Sequence, residues 1–192
     1  KGVTDKTVFS RDEYNTTVTP ELEKKQGKDF NVNYFQPKTE NIGGNVQRVY
    51  VLVSSRTASA SELVINALKP FMDVFIIGDV TVGKNVGSIL IKDPKNRFPQ
   101  GMMPIVIKVF NSAGQSDYTA GFTPNVVIKE DFSQPLYAFG DLREPLLSEA
   151  YYQITGNRNA RRGVSETPDS DRLRIAPSLI ETEMVVDKPF LK

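Results

Sequence analysis

The sequence predicts an α/β fold with a parallel sheet at its centre. Two short apolar runs without alternation, VYVLV at residues 49–53 and VFIIG at residues 74–78, have the composition of strands buried on both faces. Between them, residues 60–71 place apolar side chains at i, i+4 and i+8, the spacing of one helical face. Strand, helix and strand within about 30 residues form a βαβ unit, so we expect the two strands to be parallel.

The later elements follow from the same signals. We expect strands at 86–92 and 104–110, and an edge strand at 123–128 because a proline opens it. A second helix should begin near Glu144 and Pro145, since proline suits the first turn of a helix. This helix is expected to bury its apolar side chains, which are Leu146, Leu147, Ala150, Tyr151 and Ile154.

Three segments are expected along the chain. Residues 1–46 are polar and mixed, and we predict a peripheral segment of short strands or loops that leads into the core. Residues 47–156 carry the regular elements and the candidate catalytic residues. Residues 157–192 show little periodicity and are interpreted as a C-terminal tail.

The composition excludes several classes of function. The formal net charge of +1 over 192 residues gives no electrostatic footprint for nucleic acid or for an acidic membrane surface. No stretch approaches the roughly 18 to 20 apolar residues that a membrane span needs. The absence of cysteine and histidine excludes disulfides and thiolate metal sites and removes the commonest metal ligand, so we expect no cofactor.

The same absence narrows the choice of a nucleophile. A hydrolase built from this sequence has no Ser-His-Asp or Cys-His site, which leaves a serine activated by a lysine. Two residues 25 positions apart fit: Ser59 within TASASE (57–62) and Lys84 within TVGKN (81–85). A lysine acts as a base only when its amine is neutral, which requires an apolar surrounding or a nearby cation.

Ser59 has a structural and a functional interpretation, and both stay open. Ser59 and Glu62 match a capping box, in which each side chain bonds the other residue's backbone amide. The same strand-to-helix turn presents the hydroxyl at the edge of the sheet. The first helical amides, beginning with Ala60, then point to where an oxyanion would form.

Lys84 also has competing interpretations. Residues 78–85 are one residue short of a phosphate-binding P-loop and follow a buried strand. Asn85 stands where magnesium coordination needs Ser or Thr, and the residues that follow have strand character rather than helix character. The remaining alternative is a solvated loop lysine.

Taken together, the motifs resemble one peptidase family. Ser-Ala-Ser-Glu at 59–62, Gly-Lys at 83–84, Gly-Phe-Thr-Pro-Asn at 121–125 and the helix start at 141–147 occur in the order and spacing of the carboxyl-terminal processing proteases. This is a family of serine–lysine peptidases, also called tail-specific proteases. The residues flanking the nucleophile and the lysine look like its Bacteroidetes branch.

The resemblance implies a crotonase-like, ClpP-like ββα superhelical core. Ser59 would be the nucleophile, Lys84 the general base, and the Ala60 amide half of the oxyanion hole. The substrates implied are proteins or peptides, recognised at their C-termini or as unfolded chains. The localisation implied is outside the cytoplasm, in the periplasm or at the cell envelope of a bacterium.

Three departures from the family shape the expectation. Ser88 stands where many members have a glutamine that orients the lysine, so Ser88 is a candidate for that role. No PDZ-like segment and no upstream Asn-Gly-Gly strand are found. We therefore expect a core that is incomplete at its N-terminal side and contacts the missing part or a second copy. A non-catalytic peptide-binding or scaffolding module is the alternative function.

Overall fold

The computed structural model describes residues 2–130, 137–138 and 140–157, together with the backbone of 184–185. The helices are α1 (Thr19–Gln26), α2 (Ala60–Leu68) and α3 (Pro145–Thr155). The strands are β1 (Val8–Tyr14), β2 (Val32–Tyr34), β3 (Arg48–Val53), β4 (Asp73–Gly78), β5 (Val86–Ser88), β6 (Ile91–Lys92), β7 (Gly101–Met102), β8 (Ile105–Asn111), β9 (Val126–Val127) and β10 (Met184–Val185).

A three-stranded parallel sheet in the order β3-β4-β9 forms the centre of the expected βαβ unit. Strands β3 and β4 pair in parallel along their whole length, from Arg48 opposite Asp73 to Val53 opposite Gly78. The predicted parallel pair is confirmed. Strand β9 lies at the edge of this sheet, as the opening proline predicted, but it is shorter than residues 123–128.

The two faces of this sheet pack against different helices. On one face, Val53 and Ile76 form a buried cluster with Ile65 of α2. On the other face, Ile77 packs against Leu146 and Ala150 of α3. Because successive residues of a strand point to opposite faces, both faces need apolar side chains, and this explains the absence of alternation in the two runs.

A second sheet has the order β10-β5-β8-β1-β2. Its strands are antiparallel neighbours except that β10 pairs with β5 in parallel. Leu63 of α2 packs against the buried cluster of this sheet, which consists of Tyr14, Leu22, Ile107 and Val109. Helix α2 therefore lies between the two sheets and contributes to both cores.

Strands β5 to β8 build one long antiparallel ribbon. Strands β5 and β8 pair inside the large sheet, and the ribbon continues beyond it as the pair β6–β7. The turn expected around residues 93–96 lies at its far end, where the Asn96 amide donates to the carbonyl of Asp93 at 3.0 Å. We call residues 89–105 the distal hairpin.

Two elements differ from the sequence prediction. Helix α1 was not expected, because among its eight residues only Leu22 is buried and no apolar periodicity marks it. Helix α2 ends at Leu68 rather than at residue 71, because Pro70 has no N–H to give to the carbonyl of Asn66. The side-chain amide of Asn111 donates to that carbonyl instead, at 3.1 Å.

The prediction for the buried face of α3 was partly wrong. Leu146 and Ala150 are buried as expected, whereas Tyr151 and Ile154 are exposed. The polar side chains of Ser148 and Glu149 are buried in their place, so the helix is rotated relative to the apolar stripe. Most of the predicted tail, residues 158–183 and 186–192, lies outside the described residues; strand β10 belongs to the same segment.

Candidate active site

The turn after β3 positions Ser59. The Thr57 amide donates to the carbonyl of Ser54 at 2.9 Å, and the Ser54 amide donates to Oγ1 of Thr57 at 2.9 Å. This closed turn brings the chain to Ser59, directly before the first residue of α2. The backbone of Ser59 has φ 55° and ψ −111°, in the left-handed region that residues other than glycine rarely adopt. Such a conformation costs of order 1–3 kcal/mol and persists only where surrounding contacts impose it.

The hydroxyl of Ser59 is buried but not engaged. Ser59 and Glu62 are arranged as the capping box that the sequence predicted, and the Ser59 amide donates to Oε2 of Glu62 at 3.0 Å. Oγ of Ser59 has no hydrogen-bond partner of standard geometry in the described part of the protein. A serine that only capped the helix would use its oxygen for an amide of the first turn.

Glu62 is the centre of a dense hydrogen-bond network. It is fully buried, and its two oxygens accept four hydrogen bonds. Oε1 accepts from the Thr81 hydroxyl at 2.5 Å and from the Gly83 amide at 2.6 Å. Oε2 accepts from the Ser59 amide and, at 2.8 Å, from the Lys84 amide. A buried carboxylate is tolerated when donors satisfy it in this way.

The shared oxygen brings the two predicted residues together. Because the amides of Ser59 and Lys84 donate to the same atom, their nitrogens lie no further apart than the sum of those two bonds. Residues 25 positions apart in sequence are therefore neighbours in space. Their side-chain roles remain a proposal.

The backbone of the loop before Lys84 is held against its neighbours. The Val82 amide donates to the carbonyl of Thr57 at 2.9 Å, which joins this loop to the turn before Ser59. Gly83 has φ +89°, and a Cβ there would lie 2.4 Å from the carbonyl oxygen of Thr119. Gly121 has φ +82°, and a Cβ there would lie 2.0 Å from the carbonyl oxygen of Thr81. Glycine is required at both positions because the backbones approach so closely.

The structure contradicts a P-loop at residues 78–85. The segment continues into strand β5 and not into a helix, so no helical N-terminus faces it. Asn85 is buried and its side-chain amide donates to the carbonyl of Ser116 at 2.6 Å, which engages it in the core. Lys84 itself is half-buried, not a fully solvated loop residue.

Ser88, the candidate for orienting the lysine, lies on β5. Its side chain is fully buried, and its Oγ has no hydrogen-bond partner among the residues described. The expected hydrogen bond from the lysine amine to this hydroxyl is thus not formed in this structure. The role of Ser88 stays a prediction.

Two features of the site were missed by the sequence reasoning. Glu62 was identified only as a helix cap, although a carboxylate within an apolar helix face signals a buried partner set. Tyr118 is 2% exposed, stacks on Phe122 with ring centroids 4.8 Å apart, and its hydroxyl is unpaired within the described ranges. Burial, and to a lesser extent the charge of Glu62, raise the pKa of Tyr118 to about 12.

These features define the class of the site. A strained serine with a free hydroxyl at a strand-to-helix turn, next to the first amides of the helix, is the nucleophile arrangement of many serine hydrolases. A family model agrees with this class. The chain belongs to peptidase family S41, whose model matches residues 3–128, and this confirms the resemblance drawn from the motifs.

Solved structures add a fold comparison. A protein from Bacteroides fragilis NCTC 9343, provisionally named an S41 protease, is 28% identical with a TM-score of 0.59; the match covers 79% of this chain and 37% of that chain. The photosystem II D1 C-terminal processing protease is 20% identical with a TM-score of 0.43, covering 66% and 28%. This chain therefore spans well under half the length of either protein. No curated protein matches the sequence significantly.

The α/β class is confirmed by the mixed architecture and the family match. None of the helices in the described ranges is both long and apolar enough to cross a membrane.

Proposed function

We propose that this protein is a serine endopeptidase in which Ser59 is the nucleophile and Lys84 the general base. The observation that carries the proposal is the Glu62 carboxylate, which holds the backbones of both residues on one oxygen. The free, buried hydroxyl of Ser59 supports the role of nucleophile. Membership in a peptidase family supports peptide bonds as the target.

The proposed reaction proceeds through an acyl-enzyme. The neutral amine of Lys84 takes the proton of the Ser59 hydroxyl as Oγ attacks the carbonyl carbon of the scissile bond. Collapse of the tetrahedral intermediate breaks the C–N bond, and the Lys84 ammonium gives its proton to the leaving amine. Water then attacks the ester, with Lys84 again accepting a proton, and Ser59 is regenerated.

The N-terminus of α2 is suited to stabilising the oxyanion. The Ala60 amide is the first of the helix, so it has no intrahelical acceptor, and none of the hydrogen bonds seen in the described residues uses it. One such preorganised donor is typically worth about 3 kcal/mol in the transition state. We assign to Ala60 one half of the oxyanion hole.

The wider proposal follows the family. We propose protein C-termini or unfolded chains as substrates, a crotonase-like core around the site, and an exported location at the bacterial cell envelope. Contacts with further protein segments or a second copy belong to the same proposal. The chain spans only part of its solved relatives, so these are statements about the protein that carries it.

A fluorophosphonate probe tests the site directly. Intact-mass and peptide-mass measurements should find one adduct on Ser59, and Ser59→Ala should abolish it. Ser61→Ala is the matched control, since Ser61 is an exposed serine two residues further along the same helix. Lys84→Ala should slow labelling by about 10²–10⁴-fold, the usual contribution of a general base. Lys28→Ala, an exposed lysine of another segment, should not change the rate.

The outcomes separate the proposals. An adduct on any other serine, or unchanged labelling of Lys84→Ala, would exclude the Ser59–Lys84 pair. Peptide binding that survives Ser59→Ala, together with no labelling and no cleavage by the wild type, would establish the alternative of a peptide-binding module. Ser88→Ala with a lowered labelling rate at neutral pH, and recovery at high pH, would support a role for Ser88 in preparing the amine.

A further inference from the structure

The distal hairpin exposes large apolar side chains. Leu90, Phe98, Met102 and Ile105 are 46%, 65%, 66% and 64% exposed. They lie within 16 residues of sequence and on the part of the ribbon that extends beyond the five-stranded sheet. Scattered exposed apolar residues are normal, but a contiguous group marks an interaction surface.

The apolar side chains lie on both faces of the ribbon. A Cβ on Gly101 would meet the side chains of Leu90 and Lys92, so these two residues share one face. Ile91 and Met102 are direct partners across the pair β6–β7 and therefore share the opposite face. A globular partner would cover one face of a thin ribbon, whereas an apolar medium into which the tip inserts covers both.

The hairpin is also locally basic. It carries three cations and one carboxylate, and the carboxylate of Asp93 is held by the Arg97 guanidinium at 2.8 Å. No carboxylate within the described ranges forms an ion pair with Lys92 or Lys95. The net charge of +1 for the whole chain conceals this local excess.

Charge and apolar surface meet at one cavity. An open cavity of about 540 Å³ lies at the hairpin, and its lining includes Lys92, Arg97, Phe98 and Met102. Neither Ser59 nor Lys84 borders it. A ligand there would contact cations and apolar side chains together, which suits an amphiphile with an anionic head group.

We propose that the distal hairpin docks this protein onto an anionic lipid surface. The lysines contact the head groups, and Phe98 and Met102 insert at the boundary between head groups and acyl chains. Apolar insertion and attraction to anionic lipid act together in interfacial binding. Each cation near such a surface contributes enough to tighten binding roughly five-fold. The inference does not depend on the proposed peptidase activity.

A single-tryptophan experiment tests the docking. The chain contains no tryptophan, so Phe98→Trp introduces a unique fluorophore at the tip. Its emission should shift to shorter wavelength with vesicles of equimolar phosphatidylcholine and phosphatidylglycerol, and not with phosphatidylcholine alone. Ile42→Trp is the matched control, because Ile42 is 73% exposed outside the hairpin, and it should show no shift.

Flotation with the same vesicles gives the magnitudes. Lys95→Gln should lower the partition coefficient about five-fold. Met102→Ser should lower it about ten-fold, from lost apolar burial. Lys24→Gln on α1 should leave it unchanged. Equal shifts for both tryptophan variants, no flotation of the wild type, or self-association through the tip without lipid would each overturn the proposal.

Discussion

Replacing Glu62 by glutamine tests the tie between the two halves of the candidate site. Four donors converge on the carboxylate, two on each oxygen. A glutamine keeps one acceptor oxygen and places an NH₂ donor at the position of the other. Two of the four donors then face a donor unless they turn away.

The cost follows from which donors can turn. With the new NH₂ group towards Thr81 and Gly83, the Thr81 hydroxyl rotates and accepts, but the Gly83 amide is fixed and loses its acceptor. An unpaired buried donor costs about 1–3 kcal/mol. The three remaining bonds lose a charged acceptor, and charge-assisted bonds are roughly twice as strong as neutral ones. We expect Glu62→Gln to lower the free energy of unfolding by about 3 kcal/mol.

Urea unfolding followed by circular dichroism measures this loss. Glu23→Gln on the exposed face of α1 is the matched control and should change the free energy of unfolding by less than about 0.5 kcal/mol. Thr81→Val and the double variant complete a cycle, in which the two substitutions should be non-additive because they remove the same hydrogen bond. The fluorophosphonate labelling rate of folded Glu62→Gln should also fall.

A loss below about 1 kcal/mol, or additive effects of the two substitutions, would refute this account of the network. Unchanged labelling of a destabilised variant would show that the carboxylate stabilises the fold without positioning the nucleophile.

Two further predictions concern the surroundings of the site. Gly83→Ala should destabilise the fold by about 3 kcal/mol or more in urea unfolding, from the clash with Thr119 and the positive φ, whereas Gly44→Ala, which meets no atom within 4 Å, should have little effect. Tyr118→Phe should raise the free energy of unfolding by about 1 kcal/mol at pH 7, because it removes a buried unpaired hydroxyl, while Tyr34→Phe at an exposed site should not. Because the pKa of Tyr118 rises from 10.0 to about 12 on folding, wild-type stability should be intact below pH 10 and fall by roughly 2 kcal/mol as the pH passes 12, with a smaller fall in Tyr118→Phe.

The sequence predicted the part of the fold that depends on local patterns. The two runs at 49–53 and 74–78 and the helix between them signal their own environment, and the interval from Ser59 to Lys84 follows from that unit. Strand β1 lies between β8 and β2 in the large sheet, which depends on pairing with residues about a hundred positions away. Helix α1 buries only Leu22, so almost nothing in its own sequence identifies it.

The candidate site divides in the same way. The motifs predicted Ser59 and Lys84 because these residues are rare survivors in a chain without histidine or cysteine. The convergence of four donors on Glu62 required the loop at 81–84 to fold back onto α2, which no local pattern records. The exposure of Phe98 and Met102 likewise depends on the ribbon leaving the sheet.

The position of α2 between the two sheets has a consequence for folding cooperativity. One helix supplies Ile65 to one core and Leu63 to the other, so neither core can open without losing packing on the helix that begins at Ser59. Amides of α2 should therefore exchange with solvent only through global unfolding, while those of the distal hairpin exchange through local opening. The strained serine would then persist for as long as the whole domain stays folded.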